Sequence, residues 1–354
     1  MKFGIFGGAR VGREDTLHDS HGYKDFINYV LAAEKIGFEG IFLVEHHFTG
    51  QGQLSASLNL LSYLAAKTTR IRLGTGVVVL PWHNPVLLAE QVATLDVLSG
   101  GRVDLGIGRG YRKEEFAQFC IPITEAQERF EECFNLMLKS WASDERFSHS
   151  SKRWNFDNIV VEPAPIQRPH PPIWLAGGSP QGIAFIASKN HNLMLDQLAT
   201  VDQVRARAGA YLDGLEKIGK PRDATRCAIA RSVTIVKTEA ERQKALERRK
   251  DTFKRIGAIA VHGTPGGAQT PQSAVSQSDP DLASDDSALM GSPQEIVDRI
   301  GTLAEAGAGY ILISMPSIAP EAMQQFAEEI LPHVKNIGPT FGPAPVGLGQ
   351  QAAA

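Results

Sequence analysis

The feature that most constrains the fold is a regular alternation of short apolar runs with longer amphipathic stretches. Eight apolar runs have the length of strands, and a stretch with helical periodicity follows each of them. Several runs, such as 77–80 and 311–313, are apolar at consecutive positions, which is typical of strands buried on both faces. The predicted strands are residues 2–6, 40–45, 71–80, 102–108, 172–176, 193–198, 227–236 and 310–315.

The amphipathic stretches predict helices that alternate with these strands. Ser292 is predicted to cap a further helix that opens at Pro293. Eight βα units without a shift in composition predict an α/β protein, a single (β/α)8 TIM barrel domain over residues 1–337. An open doubly wound sheet remains the alternative, because the pattern alone does not separate the two. The other predicted helices are residues 25–36, 57–67, 85–98, 125–141, 180–188, 202–218, 239–256 and 320–334.

Three segments depart from the alternation. Residues 146–163 contain two short strand-like runs and predict a hairpin insertion after the fourth helix. Residues 262–288 are rich in Gly, Pro, Ser and Gln and lack apolar periodicity, which predicts a mobile loop before the eighth strand that acts as a lid. Residues 338–354 are rich in Gly, Pro and Ala, which predicts a flexible C-terminal tail.

Composition and charge exclude several classes of protein. The net charge is −3 and no run of Lys and Arg occurs, so nucleic acid is not expected as a partner. No apolar stretch reaches the ~20 residues of a membrane helix, and the N-terminus lacks the apolar core of a signal peptide. The three cysteines are widely spaced, which disfavours a disulfide framework or a structural zinc site. We therefore expect a cytoplasmic protein that does not bind membranes.

The chemistry of such a barrel is expected at the carboxyl ends of its strands. Glu45, His46 and His47 directly follow the second strand. Imidazole titrates near neutral pH, so these residues are candidates for proton transfer. Two alternatives remain open. The histidines either bind a metal, for which the other strand ends supply few further ligands, or satisfy backbone groups where the chain turns.

Glycines and a cation follow the fourth and fifth strands. Gly108 and Arg109 combine an open backbone with a permanent positive charge, which suits a phosphate group. Gly178 and Ser179 precede Pro180 at a helix start, where free N–H groups and the helix dipole attract anions. A plain N-cap serine is the alternative for Ser179. A glycine within a barrel strand, as in the third strand, often marks the close approach of a ligand.

Several short motifs occur together, in one order and at consistent intervals, over most of the chain. Taken together, they resemble the bacterial luciferase-like flavin-dependent monooxygenase family. The motifs are Lys2-Phe3-Gly4, Glu45-His46-His47-Phe48, Gly74-Thr75 with Val79-Leu80-Pro81, Gly101-Arg102 with Gly108-Arg109-Gly110, Ser179, and Gly291 with Pro293-Gln294-Glu295.

This resemblance implies a barrel that binds reduced FMN supplied by a separate flavin reductase, and a homodimer formed through the second and third helices. His46 would be catalytic, with Glu45 and His47 supporting its tautomer. Gly76 and Val77 match a cis peptide that packs against the flavin ring. No metal is expected. The positions implied to bind the cofactor are Gly76, Val77, Gly108, Arg109, Gly178 and Ser179.

The implied reaction is oxidation of a small organic substrate, such as an aldehyde or ketone, by O2 through a flavin hydroperoxide. Gly108 stands where luciferase has its reactive cysteine, so neither light emission nor a long-chain aldehyde substrate is implied. Three alternatives remain. They are a deazaflavin-dependent dehydrogenase on the same fold, a non-catalytic flavin-binding protein, and a metal-dependent hydrolase.

Overall fold

The computed structural model describes residues 1–9, 21–49, 53–142, 144–261, 284–315 and 320–338. Eight parallel strands pair in sequence order, and the last pairs with the first, which closes the ring. The predicted (β/α)8 barrel is therefore confirmed, and the open-sheet alternative is wrong. The barrel strands are β1 (Lys2–Gly7), β2 (Gly40–Leu43), β3 (Arg72–Thr75), β5 (Val103–Gly108), β8 (Ile173–Ala176), β9 (Asn192–Leu195), β10 (Cys227–Ile235) and β12 (Tyr310–Ser314).

Helices connect the strands around the outside of the barrel. Local signals in the sequence set their ends. Asn84 caps α3 by accepting hydrogen bonds from the N–H groups of Val86 and Leu87, and Gly100 ends it with a left-handed φ of 67°. Among the described residues, no helix is both long and apolar enough to cross a membrane. The helices are α1 (His21–Ile36), α2 (Ser57–Lys67), α3 (Pro85–Ser99), α4 (Lys113–Gln118), α5 (Ala126–Ala142), α6 (Pro180–Ser188), α7 (Val201–Lys217), α8 (Glu239–Val261), α9 (Pro293–Glu305), α10 (Pro320–Glu329) and α11 (Leu331–Val334).

The predicted third strand, 71–80, is interrupted in the structure. β3 ends at Thr75, and the peptide bond between Gly76 and Val77 is cis, at the position that the resemblance implied. The chain then forms the short strand β4 (Val78–Val79), which pairs with the end of β5, and a 3-10 turn. The sequence does not show this break, because Leu73, Val78, Val79 and Leu80 on both sides of it are buried and hydrophobic.

Two short elements were not predicted. One is the helix α4, and the other is the strand β11 (Ala288–Gly291), which pairs with the second half of β10. The predicted loop 262–288 is therefore too long at its end, since Ala288 begins β11. Residues 262–283 lie outside the described part of the chain, as do residues 339–354 of the predicted tail.

The hairpin region after α5 forms a separate two-stranded sheet. Its strands, β6 (Phe147–Ser150) and β7 (Asn155–Ile159), are antiparallel and do not join the barrel. The turn between them carries Arg153, whose guanidinium contacts three glutamates of the 3-10 turn and α5 that precede the hairpin. The hairpin is thereby attached to the outside of the barrel.

Aromatic side chains fill the interior of the barrel. Phe42, Trp174 and Tyr310 meet edge to face, with ring centroids 5.6 to 5.8 Å apart. Met194 and Leu312 complete this inner cluster. A larger apolar layer lies between the strands and the helices. Because the interior is packed with side chains, the main cavity lies above it, at the carboxyl ends of the strands.

Candidate active site

A cavity of about 1820 Å³ lies at the carboxyl ends of the barrel strands. Sites for one drug-sized ligand typically measure roughly 300–1,000 Å³, so this cavity has room for a large cofactor and a second molecule. Eight of the nine predicted site residues line it, and His47 does not. The eight are Glu45, His46, Gly76, Val77, Gly108, Arg109, Gly178 and Ser179.

His46 is held at both its backbone and its ring. Its N–H donates to the carbonyl oxygen of Leu54 at 2.9 Å. Its Nδ1 lies 3.3 Å from Oε1 of Glu115, a carboxylate on α4 that also accepts a 2.9 Å hydrogen bond from the N–H of His47. A carboxylate only accepts, so this contact places the ring hydrogen on Nδ1 and leaves Nε2 as an acceptor. The arrangement suits proton transfer at Nε2.

Glu45 and His47 do not contact the His46 ring, which corrects their expected role. Oε1 of Glu45 lies 3.0 Å from Nε2 of His47 and 3.2 Å from Nε2 of His83, and Oε2 accepts a 3.3 Å hydrogen bond from the N–H of Val79. Burial alone would raise the pKa of Glu45, but hydrogen bonds from the two imidazoles outweigh it and lower that pKa. Glu45 therefore stays anionic and ties the end of β2 to the segment after β3.

The ring of His47 packs into an aromatic cluster outside the cavity. It meets Phe119 at 4.8 Å and Trp82 at 5.3 Å between centroids, both edge to face. Phe48 extends this cluster to the surface, where it is 62% exposed. His47 therefore packs against residues next to the cavity and does not line it.

The part of the cavity that Arg109 and Ser179 line is polar and suits an anion. The Nη1 of Arg109 donates to Oε1 of Gln127 at 3.1 Å, and the amide of Gln127 donates to Glu131 at 2.6 Å. The hydroxyl of Ser179 caps α6 by accepting from the N–H of Gly182 at 3.1 Å. The N-cap interpretation is thus correct, and it leaves the hydroxyl hydrogen and the other free N–H groups of this helix end as donors.

Two glycines line the cavity at positions where a larger residue would crowd its neighbours. A Cβ added to Gly108 would come within 2.7 Å of Cγ2 of Val77, and one added to Gly76 within 3.0 Å of the Phe6 ring. Because Val77 and Phe6 also line the cavity, a larger residue at Gly76 or Gly108 would displace them. A planar ligand can therefore approach the backbone here.

Two residues of the site, Glu115 and Gln127, were not predicted from the sequence. Glu115 lies on α4, a helix of six residues that is too short to show a periodic pattern. Gln127 lies in the first turn of α5, where nothing in its neighbourhood marks it as a ligand of Arg109. Within the described ranges, no group of three His, Cys, Asp or Glu side chains is arranged to hold a metal ion.

Comparison with known proteins identifies the family. The model of the luciferase-like monooxygenases matches residues 1–309. The chain belongs to the luciferase-like monooxygenase family. The resemblance inferred from the short motifs is therefore confirmed.

Several curated members of the luciferase-like monooxygenase family are related in sequence. The chain is 28% identical to the FMNH2-dependent dimethylsulfone monooxygenase of Pseudomonas putida, over 86% of each chain. It is 30% identical to the oxygenase component of the flavin-dependent trigonelline monooxygenase of Acinetobacter baylyi, over 61% of this chain and 60% of that protein. The chain spans little more than half the length of several such relatives, for example 52% of an uncharacterised Sinorhizobium fredii protein.

Solved structures of this family have the same fold. A monooxygenase from Streptomyces bottropensis superposes with a TM-score of 0.76 at 28% identity, over 94% of this chain and 99% of its own. The oxygenating constituent of a Pseudomonas putida type II Baeyer–Villiger monooxygenase, solved with FMN, gives a TM-score of 0.74 over 94% and 98% of the two chains. Because its sequence is only 19% identical to this chain, this superposition shows a similar fold and nothing more.

Proposed function

We propose that this protein is the oxygenase component of a two-component monooxygenase that uses reduced FMN and O2 to oxidise a small organic substrate. The observation that carries this proposal is a single cavity whose lining includes His46, Arg109 and the start of α6. The related proteins named as FMNH2-dependent monooxygenases and as an oxygenase component support it.

The residues present fit FMN. Arg109 and the N-terminal donors of α6 at Gly178 and Ser179 suit a phosphate. Gly76 and Gly108 line the same cavity without side chains, so a flat ring can approach the backbone there. When bound, reduced FMN supplies the electrons that activate O2.

The chain itself would orient the reactants and handle protons. With its Nδ1 hydrogen donated to Glu115, His46 presents Nε2 as a fixed acceptor and moves a proton there as general base or acid. Glu45 and His47 support this end of the site through the backbone and the aromatic cluster. A flavin reductase is the expected partner. The substrate, a homodimer and a cytoplasmic location remain part of the proposal.

Replacing His46 tests the assignment. With purified flavin reductase, NADH and FMN, His46→Ala is expected to lower the oxygenated product per NADH by about 100-fold, the low end of general acid–base contributions. Hydrogen peroxide should account for the missing oxygen, and FMN affinity should change little. His333→Ala, at an exposed position on α11, is the matched control. Unchanged coupling of product to NADH in His46→Ala would remove His46 from the mechanism.

The same preparation separates the alternatives. A deazaflavin-dependent dehydrogenase would turn over without O2 and would prefer deazaflavin over FMN. A non-catalytic flavin protein would bind FMN and yield no product with any substrate. A metal-dependent hydrolase would show stoichiometric metal by elemental analysis. We expect FMN binding and strictly O2-dependent product formation.

A further inference from the structure

Arginine side chains line the cavity at several places, and Arg112 differs from the others. Its guanidinium makes no hydrogen bond to any described residue: Nε has no partner, and Nη1 lies 3.8 Å from the carboxylate of Glu115. Each of the other arginines that line the cavity donates at least one hydrogen bond. Those others are Arg109, Arg207, Arg248 and Arg249, which donate to Gln127, Asp196, Lys244 and Ser287 respectively.

The guanidinium of Arg112 is largely enclosed and yet open to the cavity. Its side chain is 13% exposed, and Arg112 is one of the cavity's lining residues. Only Nε of this group is fully enclosed, so a molecule in the cavity can reach Nη1 and Nη2. A guanidinium carries five N–H donors, and enclosed donors in native proteins nearly always have partners. The unmet donors of Arg112 therefore indicate a ligand.

The backbone of α4 fixes the position of Arg112. The carbonyl oxygen of Arg112 accepts a hydrogen bond from the N–H of Phe116 at 3.2 Å, at the start of this helix. The guanidinium carbon lies 5.9 Å from the ring centroid of Tyr111, which also lines the cavity. A cation that is already held in place loses little conformational freedom when it binds a ligand.

Arg112 lies beside the proposed reaction centre. Oε1 of Glu115 is 3.8 Å from Nη1 of Arg112 and 3.3 Å from Nδ1 of His46. The side chains of Arg112 and His46 are therefore close neighbours, and both line the cavity. The phosphate of FMN is assigned to Arg109 and the start of α6, so Arg112 is left for the second molecule of the reaction.

We propose that Arg112 binds a carboxylate of the organic substrate and thereby holds that substrate beside His46. This inference rests on the proposed function, because it assigns a chemical group of the second molecule in that reaction. The planar fork of a guanidinium matches a carboxylate with two parallel hydrogen bonds. Glu115 leaves the N–H groups of Arg112 free, because its Oε1 is hydrogen-bonded to His46 and His47 instead. Arg112 is thus a specificity-determining residue.

Two probes of nearly the same shape test this assignment. Benzoate carries a carboxylate, and benzamide has an NH2 group in place of one oxygen, which cannot accept a hydrogen bond from a guanidinium. Dissociation constants are measured by NMR titration of the FMN-saturated protein, without reductase or NADH. We expect benzoate to bind about tenfold more tightly, as a hydrogen-bonded charge pair does, and added salt to reduce this difference. Benzamide that binds as tightly as benzoate would overturn the proposal.

The variant Arg112→Met removes the charge and keeps an unbranched side chain. It is expected to weaken benzoate about tenfold and to leave the affinities for benzamide and FMN unchanged. Its thermal stability should not fall, because a largely enclosed cation without hydrogen bonds is removed. Lys113→Met, at an exposed position on the same helix, is the matched control. Equal benzoate affinity in Arg112→Met and the wild type would overturn the role of Arg112, and so would a loss of FMN affinity.

The variant Arg112→Lys keeps the charge and removes the planar fork. We expect it to retain part of the preference for benzoate over benzamide, because an ammonium attracts a carboxylate but does not hold it with two parallel hydrogen bonds. The comparison of the two probes can be made in this variant even if Arg112→Met does not fold. Complete loss of the preference in Arg112→Lys would contradict a charge pair at this position.

The two proposals fail separately. Binding is measured without turnover, so the expected preference for benzoate with no O2-dependent product would refute only the monooxygenase assignment. Conversely, O2-dependent turnover of a substrate whose KM is unaffected by Arg112→Met would refute only the role of Arg112. For a substrate with a carboxylate we expect Arg112→Met to raise KM and to change kcat little.

Discussion

At the scale of single residues, the orientation of His46 depends on a carboxylate 69 positions further along the chain. Glu115 is almost fully buried and holds both the ring of His46 and the backbone of His47. It acts through His46 and is therefore a positioning residue. The Nη1 of Arg112 lies 3.8 Å from Oε1 of Glu115 and places a positive charge beside it.

Glu115→Gln tests this positioning role. The amide keeps the size of the side chain and an acceptor for His47, but it lacks the charge that holds the His46 hydrogen on Nδ1. We expect kcat to fall by about tenfold, equivalent to ~1.4 kcal/mol, while FMN affinity stays unchanged. Steady-state kinetics across pH should also show a displaced profile. Glu114→Gln, exposed on the same helix, is the control. An unshifted profile together with reduced thermal stability would mean that Glu115 only holds the fold.

Eight of the nine residues predicted for the site line one cavity, because they lie at or directly after the ends of barrel strands. The expected support of the His46 ring by Glu45 and His47 is not seen in the hydrogen bonds, which pair the ring with Glu115. In extended chain, successive side chains point to opposite sides, so Glu45 and His47 share a side that His46 does not. Their observed hydrogen bond is consistent with this alternation. Only the closed barrel shows that Glu115 reaches His46.

At the scale of elements, long periodic segments were predictable and short ones were not. The capping box of α9, with Ser292 and Glu295, agrees with the helix start predicted from the sequence. α4 and β11 have six and four residues, and their apolar positions are too few for a periodic signal. β11 is formed because its backbone pairs with β10, a contact that local sequence does not encode.

Arg153 provides three of the contacts that hold the hairpin formed by β6 and β7 to the barrel. Arg153 donates to Glu132 at 2.9 Å, to Glu125 at 3.1 Å and to Glu128 at 2.7 Å. These glutamates lie three, four and seven positions apart and so share one helical face. Hydrogen bonds from Arg153 and then Lys152 lower the pKa of Glu128 to about 2.

Removing this contact should loosen the hairpin without altering the barrel. Arg153→Gln is expected to speed amide hydrogen exchange in β6 and β7 and to leave β1–β3 unchanged. Arg205→Gln, at an exposed arginine on α7 away from the hairpin, is the control. The pKa of Glu128 is lower in the fold than its ordinary 4.5. The contribution of the ion pairs of Glu128 to the stability of the hairpin is therefore present above pH 4.5 and is lost as pH falls toward 2. The protection of the amides in β6 and β7 is to be corrected for intrinsic exchange rates. If it stays constant as pH falls from 4.5 toward 2, this account is wrong.

At the scale of the whole molecule, apolar side chains are exposed on two neighbouring helices. Leu87 and Leu98 of α3 are 51% and 64% exposed, and Tyr63 of α2 is 50% exposed. The two leucines are eleven positions apart, so they lie on one face of the helix. The resemblance implied a homodimer through these two helices. A shared apolar face of this kind is consistent with that expectation.

Charge on this face should therefore prevent association. Light scattering coupled to size-exclusion chromatography is expected to give twice the chain mass of 38.4 kDa for the wild type and a single chain mass for the double variant Leu87→Lys, Leu98→Lys. Ile218→Lys, at an exposed position just past α7, should remain dimeric. The residues proposed to hold FMN follow the barrel strands β3, β5 and β8 and do not lie on α2 or α3, so the monomeric variant should still bind FMN. A dimeric double variant would place the interface elsewhere, and a monomeric wild type would remove the homodimer from the proposal.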